Sequence, residues 1–263
     1  MSLTNKTIAN SYKDLLQMDN SNNGVDTTAK QVKDGEGTLS ALFLFDDGAS
    51  IRPVNDDSTS VFMVLSQDGS KIPLLVDTTN DLVKASGNIV NTQYATFSIG
   101  NTQSSYNSAD THHPIPFSNA VYGVSNLAPA FGTGTDPATT FTTADSNEER
   151  ASDLVPCLWY VNDDISIDAI KSIEGADAAG GDTTRMHLFS YDFTSGATSC
   201  LTNGTLLGHN SDVTNAGSEQ PYLSTWTVDS AAVSAGKVIL AFFKSDSINS
   251  DYSIQVTVKY HLT

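Results

Sequence analysis

The chain has 263 residues, enough for one large β domain or two smaller ones with a real core. It carries 13 basic against 30 acidic residues, a formal charge of −17, which argues against nucleic acid or an anionic membrane as partner. Apolar residues make up 39% and charged ones 16%; Ser, Thr, Asn, Asp and Gly fill the rest, the composition of a turn-rich β protein.

No apolar run approaches membrane-spanning length, so no membrane insertion is expected. Residues 1–18 lack a basic stretch followed by an apolar one, so no secretory signal is expected and synthesis in the cytoplasm is. Cys157 and Cys200 are too few for a disulfide framework and read as two buried free thiols.

Residues 1–37 are polar, with Ile8, Tyr12, Leu15 and Leu16 as one short amphipathic stretch ahead of the loop Asp19-Asn20-Ser21-Asn22-Asn23-Gly24. Such a segment buries too little to order itself and needs a partner to dock on. Residues 38–100 read as short strands. Leu39 to Phe45 is one, and the runs at 61–65 and 72–76 flank Gln67-Asp68-Gly69-Ser70, a hairpin signal. Pro73 lacks an N–H and predicts an edge or irregular strand. Further strands are expected at 82–90 and 94–99. Residues 101–153, with four prolines and Gly132-Thr133-Gly134-Thr135, read as a loop-rich connection that is interfacial or conceals strands.

Residues 154–263 show the clearest periodicity. Asp164-Ile165-Ser166-Ile167-Asp168 alternates; His187, Phe189, Tyr191 and Phe193 share a face, as do Tyr222, Ser224, Trp226 and Val228. Residues 237–243 form an apolar run. In the last strand Tyr252, Ile254, Val256, Val258, Tyr260 and Leu262 alternate with Ser253, Gln255, Thr257, Lys259 and His261. A helix would smear that pattern over its whole surface, so this is a half-buried antiparallel strand. The expected fold is all-β: an antiparallel, jelly-roll-like β-sandwich head, a short β stalk and an extended N-terminal anchor.

Chemistry is sparse. Asp46-Asp47, Asn55-Asp56-Asp57 and Asn162-Asp163-Asp164 offer hard oxygen ligands but match no calcium-loop spacing, and read as solvated turns. His112-His113 reads as a polar loop rather than a metal site, because adjacent residues of a strand point to opposite sides. No nucleophile elbow, phosphate loop or His-Glu-x-x-His stands in the chain, so no catalytic residue, metal or cofactor is expected. Trp226 and Tyr252 lie on apolar faces and read as core. Tyr106, Tyr122 and Phe131 lie in loop sequence and are the candidate ligand contacts.

The stretch 7–17, Thr-Ile-Ala-Asn-Ser-Tyr-Lys-Asp-Leu-Leu-Gln, continuing to Val32-Lys33-Asp34-Gly35-Glu36-Gly37-Thr38, resembles the N-terminal region of fibre-like virion proteins of marine tailed bacteriophages. The run from Phe62 through the Asp68-Gly69 turn to Leu75-Val76-Asp77-Thr78 is similar to a fibre repeat that builds an intertwined stalk. The resemblance implies a homotrimer located in the virion, its N-terminus (Ile8, Tyr12, Leu15 and Leu16) bound to capsid or tail proteins. Its head would be outermost, for adhesion to a host surface glycan or protein; a capsid cement protein without receptor binding is the alternative. Three chains would carry 3 × −17 = −51, a charge to be offset at subunit contacts.

Overall fold

The computed structural model describes residues 15–18, 20, 23–100, 109–117, 130–141, 154–177, 180–246 and 251–263. The chain divides between Val90 and Asn91 into two units.

The first unit holds two small antiparallel sheets. One is the meander β1 (Gln17–Met18), β2 (Lys30–Lys33), β3 (Leu39–Phe45) and β4 (Gly48–Ile51). Asp34 shapes the β2–β3 turn by accepting from the N–H groups of Glu36 (2.9 Å) and Thr38 (2.8 Å). Asp46 and Asp47 are the β3–β4 turn, solvated as expected. The second sheet is β5 (Phe62–Val64), β6 (Leu74–Asp77), β7 (Leu82–Ala85) and β8 (Asn88–Ile89), in that order. Phe62 pairs with Val76 and Val64 with Leu74, the hairpin that Asp68-Gly69 signals. Asp68 accepts from Ser66 Oγ (2.6 Å) and from the backbone N–H of Ser70 (3.0 Å), and these bonds hold its carboxyl at about 2. Of the two expectations for Pro73 the irregular one holds and the edge one does not: β6 is an inner strand, and the chain bends at Pro73 before the strand starts at Leu74.

Among the described residues neither sheet has a core of its own. Among the described residues up to Val90, the buried apolar side chains are Val32 and Phe43. Phe62, Met63, Val64, Leu65, Ile72 and Val83 are all exposed.

The second unit is an antiparallel two-sheet sandwich. Its strands are β9 (Thr92–Ile99), β10 (His113–Ile115), β11 (Trp159–Tyr160), β12 (Ile165–Asp177), β13 (Thr183–Phe193), β14 (Leu201–His209), β15 (Val213–Thr214), β16 (Gln220–Thr225), β17 (Thr227–Val228), β18 (Ala232–Val233), β19 (Lys237–Ser245) and β20 (Asp251–Leu262). One sheet runs β16-β12-β20-β9, with β18 also on β12. The other runs β10-β19-β13-β14-β17, with β11 on β19 and β15 on β13. Val256, Val258, Phe97, Ile170, Leu188 and Ile239 are among the side chains that fill the space between them.

The second sheet is covered on both faces, which is why residues 237–243 show no alternation. Ile239, Ala241 and Phe243 point into the sandwich. Val238, Leu240 and Phe242 join Phe189, Tyr191, Phe131 and Phe141 in a second core. The cover is the segment 130–141, tied down by Tyr191 Oη donating to the Ala138 carbonyl (2.8 Å) and Gly204 N–H to that of Thr139 (2.8 Å). A Cβ on Gly204 would sit 2.7 Å from the Tyr191 ring and 2.9 Å from Thr139 Cα, so the close approach needs glycine.

Two boundaries differ from the sequence reading, and the stretch 101–153 follows its alternative of concealed strands. Strand β2 lies before residue 37 yet pairs with β3, so the expected division at residue 37 falls inside one sheet. Strand β9 belongs to the head, where it pairs with β20 along its length. The connection 101–153 contributes β10, an edge strand whose Pro114 is tolerated because no further strand needs its N–H. Cys157 and Cys200 are buried free thiols, each in a different core.

Candidate functional site

The outer face of the β16-β12-β20-β9 sheet carries an open groove of about 390 Å³, within the usual range for small-ligand sites of roughly 300–1,000 Å³. Its construction starts at Asp168. A register shift between Ile167 and Ala169 marks a bulge there, and Asp168 Oδ1 lies 3.0 Å from His261 Nδ1. The bulge inverts the alternation of β12. Ile165 and Ile167 point inward before it; Ile170, Ser172 and Glu174 do so after it. Ala169, Lys171 and Ile173 are thereby turned outward.

Register then assembles three rows across the face. Leu223, Ile173 and Gln255 make one; Thr225, Lys171, Thr257 and Thr96 the next; Ala169, Lys259 and Tyr94 the third. Tyr94 is 66% and Leu223 69% exposed, so a ring and an aliphatic side chain stand in solvent on either side of two lysines. Lys171 forms no ion pair among the described residues. Trp226 closes the sheet from behind, its indole N–H donating to Ser172 Oγ at 2.8 Å in the core.

A second cluster lies where segment 130–141 meets the other sheet. The rings of His112 and His187 are 5.0 Å apart between centroids, and those of His187 and His209 6.5 Å. His187 Nε2 is 3.3 Å from Asp136 Oδ1, His112 Nδ1 3.1 Å from the Gly132 carbonyl, and His209 Nδ1 2.7 Å from Asp229 Oδ2. Burial pushes His187 down to about 3, helped by His112, Arg185, His209 and Lys244, and burial also lowers His112. Both are therefore neutral at pH 7. Among the described residues no group of three or more His, Cys, Asp or Glu is arranged to hold a metal ion.

The cluster makes the fold acid-sensitive. The folded-state value of His187 lies below its ordinary 6.5, so its contribution is intact above 6.5 and is lost as pH falls from there toward about 3. At pH 5 the loss is expected to be about 2 kcal/mol. Urea unfolding midpoints from pH 7 to 4 check this: His187→Gln should gain stability relative to the wild type steadily as pH falls below 6.5, and a difference between the two proteins that does not change with pH would contradict the assignment.

The sequence candidates fall as follows. Ile8, Tyr12, Tyr106 and Tyr122 lie outside the described residues. Leu15 and Leu16 are exposed just before β1. Phe131 is corrected: it is fully buried, stacked on Phe141 with centroids 4.2 Å apart, because residues 130–141 are the lid of a core rather than a surface loop. His112 and His113 are likewise buried, not a polar loop, since His113 opens β10. Asp56, Asp57, Asp163 and Asp164 are exposed, and Asp164 Oδ1 accepts from Ala235 N–H at 2.7 Å. The groove escaped the sequence reading except on β20, where Gln255, Thr257 and Lys259 already stood on the polar side. The signal for the rest was the odd placement of Tyr94, Ile173 and Leu223 on solvent positions of their strands.

No family model matches the chain, and no curated protein does. One solved structure that resembles it is an aminopeptidase from the marine sediment archaeon Thaumarchaeota archaeon, 8% identical, with a TM-score of 0.32. The match covers 72% of this chain and spans 40% of that one. At that level it carries no argument. No helix among the described residues is long and apolar enough to cross a membrane.

Proposed function

We propose that this chain is a virion structural protein: a homotrimeric fibre on tail or capsid, attached through its N-terminal region, with the C-terminal sandwich as a head for host-surface adhesion. The observation that carries the reading is the pair of coreless sheets before Val90. Small sheets need a covered apolar face to be stable, and ordering each residue costs roughly 1–2 kcal/mol of entropy. Val32 and Phe43 alone cannot offset that for two sheets. Association with copies of the same chain would cover Phe62, Met63, Val64 and Ile72, residues that are uncharged and bring no acidic groups together. Threefold symmetry and the virion setting come from the resemblance in residues 7–38 and 62–78.

Adsorption competition tests the role. Saturating the host surface with the intact purified chain is expected to block adsorption of particles that carry it. Unchanged adsorption, together with shells that loosen when the chain is removed, would point to the cement role instead.

A further inference from the structure

We propose that residues 130–141 form an acid-released latch: protonation of His112 and His187 beneath them frees the segment from its sheet while the sandwich stays folded. The inference is independent of the fibre reading.

The first argument is a count of donors. A neutral imidazole has one N–H and one bare nitrogen, whereas a protonated one has two N–H groups that both need acceptors. His112 and His187 are fully buried. His112 Nδ1 has the Gly132 carbonyl at 3.1 Å, but its Nε2 has no hydrogen-bond partner among the described residues. His187 Nε2 has Asp136 Oδ1 at 3.3 Å, but its Nδ1 has no such partner. Each ring is therefore placed for a single donor. A second proton on either one creates a buried donor with nothing to accept it.

Charge acts in the same direction. The two rings are 5.0 Å apart, so two imidazolium ions there repel. Arg185 on the same strand, Lys244 on β19 and His209 on β14 add to that repulsion at His187. The carboxylates around the cluster stand at its rim and are engaged there. Asp136 is about half exposed, and Asp229 holds His209. Asp212 lies 3.7 Å from Arg185, and Asp110 lies 4.0 Å from Lys244. None of them bonds the open nitrogen of either buried ring.

The lid yields before the sandwich because it is held by few bonds. His112 N–H donates to the Gly132 carbonyl and Phe131 N–H to that of His112, each at 3.0 Å. Phe141 N–H donates to the Leu201 carbonyl at 2.9 Å, beside the ties from Tyr191 and Gly204. The strands beneath are held by long ladders, β12 on β20 from Ile165 to Asp177. A sparsely tied segment opens at lower free energy than the core it covers. Opening hydrates both rings and uncovers Phe189, Tyr191 and Phe242 on the outer face of the sheet.

Hydrogen exchange of the intact chain, read by NMR and corrected for the intrinsic rate at each pH, tests the latch. The amides of Phe131, Phe141 and Gly204 are expected to lose about 30-fold or more in protection from pH 7.5 to 5, because His187 moves from about 3 in the closed state to 6.5 in the open one. Over the same range the amides of β20 should keep or gain protection. His112→Gln with His187→Gln should remove the pH dependence at the lid. Tyr191→Phe, which deletes a lid tie without touching the histidines, should lower lid protection equally at every pH. Lid protection that does not change with pH would overturn the inference, and so would β20 amides that lose protection by the same factor as the lid. A folded double histidine variant that keeps the wild-type pH dependence would also overturn it. If that variant does not fold, the comparison of lid and β20 in the wild type decides alone.

Discussion

Glu174→Gln is expected to stabilise the protein at neutral and alkaline pH by several kcal/mol while leaving it unchanged in mild acid. Glu174 lies on the inner face of β12 between Tyr222 and Ile254, 1% exposed, and neither carboxylate oxygen has a hydrogen-bond partner among the described residues. Burial without a counter-charge pushes its carboxyl from 4.5 up to about 8. A raised value in the folded state means that stability is fully present below 4.5 and is lost as pH climbs through 8. Between pH 4.5 and 7 the ionisation of this one group is thus expected to cost the wild type about 3 kcal/mol, a cost the amide does not incur because it cannot ionise. Denaturant midpoints of the two proteins from pH 4.5 to 8.5 check this; curves that stay parallel would show that the buried carboxyl is already neutralised by a partner.

The opposite limb belongs to His187, whose penalty grows below 6.5. Between 4.5 and 6.5 the two slopes have opposite signs and nearly cancel. The stability profile is therefore expected to be flat there and to fall on both sides.

Val256→Asp is expected to abolish the folded head. Val256 is fully buried at the centre of β20, paired with Ser172 on β12 and Phe97 on β9. A carboxylate there has no cationic neighbour in the core, and a cost above about 4 kcal/mol follows from burying an unpaired charge. Gln255→Glu, one residue away but on the exposed face, should shift the melting temperature by no more than about 2 °C. Circular dichroism and thermal melts separate the two outcomes. A folded Val256→Asp variant would mean that β20 is not the central strand described.

Strand β20 was legible because one of its faces is wet along most of its length: Tyr252 to Leu262 alternate with polar residues, and burial follows that alternation until Tyr260, His261 and Leu262 at its end. Strand β19 was legible as apolar but not as doubly covered, since its lid comes from residues 130–141, far off in sequence and rich in Gly, Pro and Thr. The same lid buries His112 and Phe131, whose local sequence reads as loop. What sequence could not show was pairing at a distance. The β9–β20 ladder joins residues about 160 positions apart, and nothing in Thr92–Ile99 alone assigns it to the head rather than to the hairpins before it. The groove depended on both hidden facts, the β9 pairing that brings Tyr94 beside Lys259 and the bulge at Asp168 that turns Lys171 outward.

The central claim is that the sheets before Val90 are completed by copies of the same chain, and the mass of the intact protein in solution tests it most directly. Size-exclusion chromatography with light scattering at micromolar concentration should give three times 27.9 kDa, about 84 kDa, with an unfolding midpoint that rises with protein concentration. A stable 27.9 kDa species with concentration-independent unfolding would contradict the account.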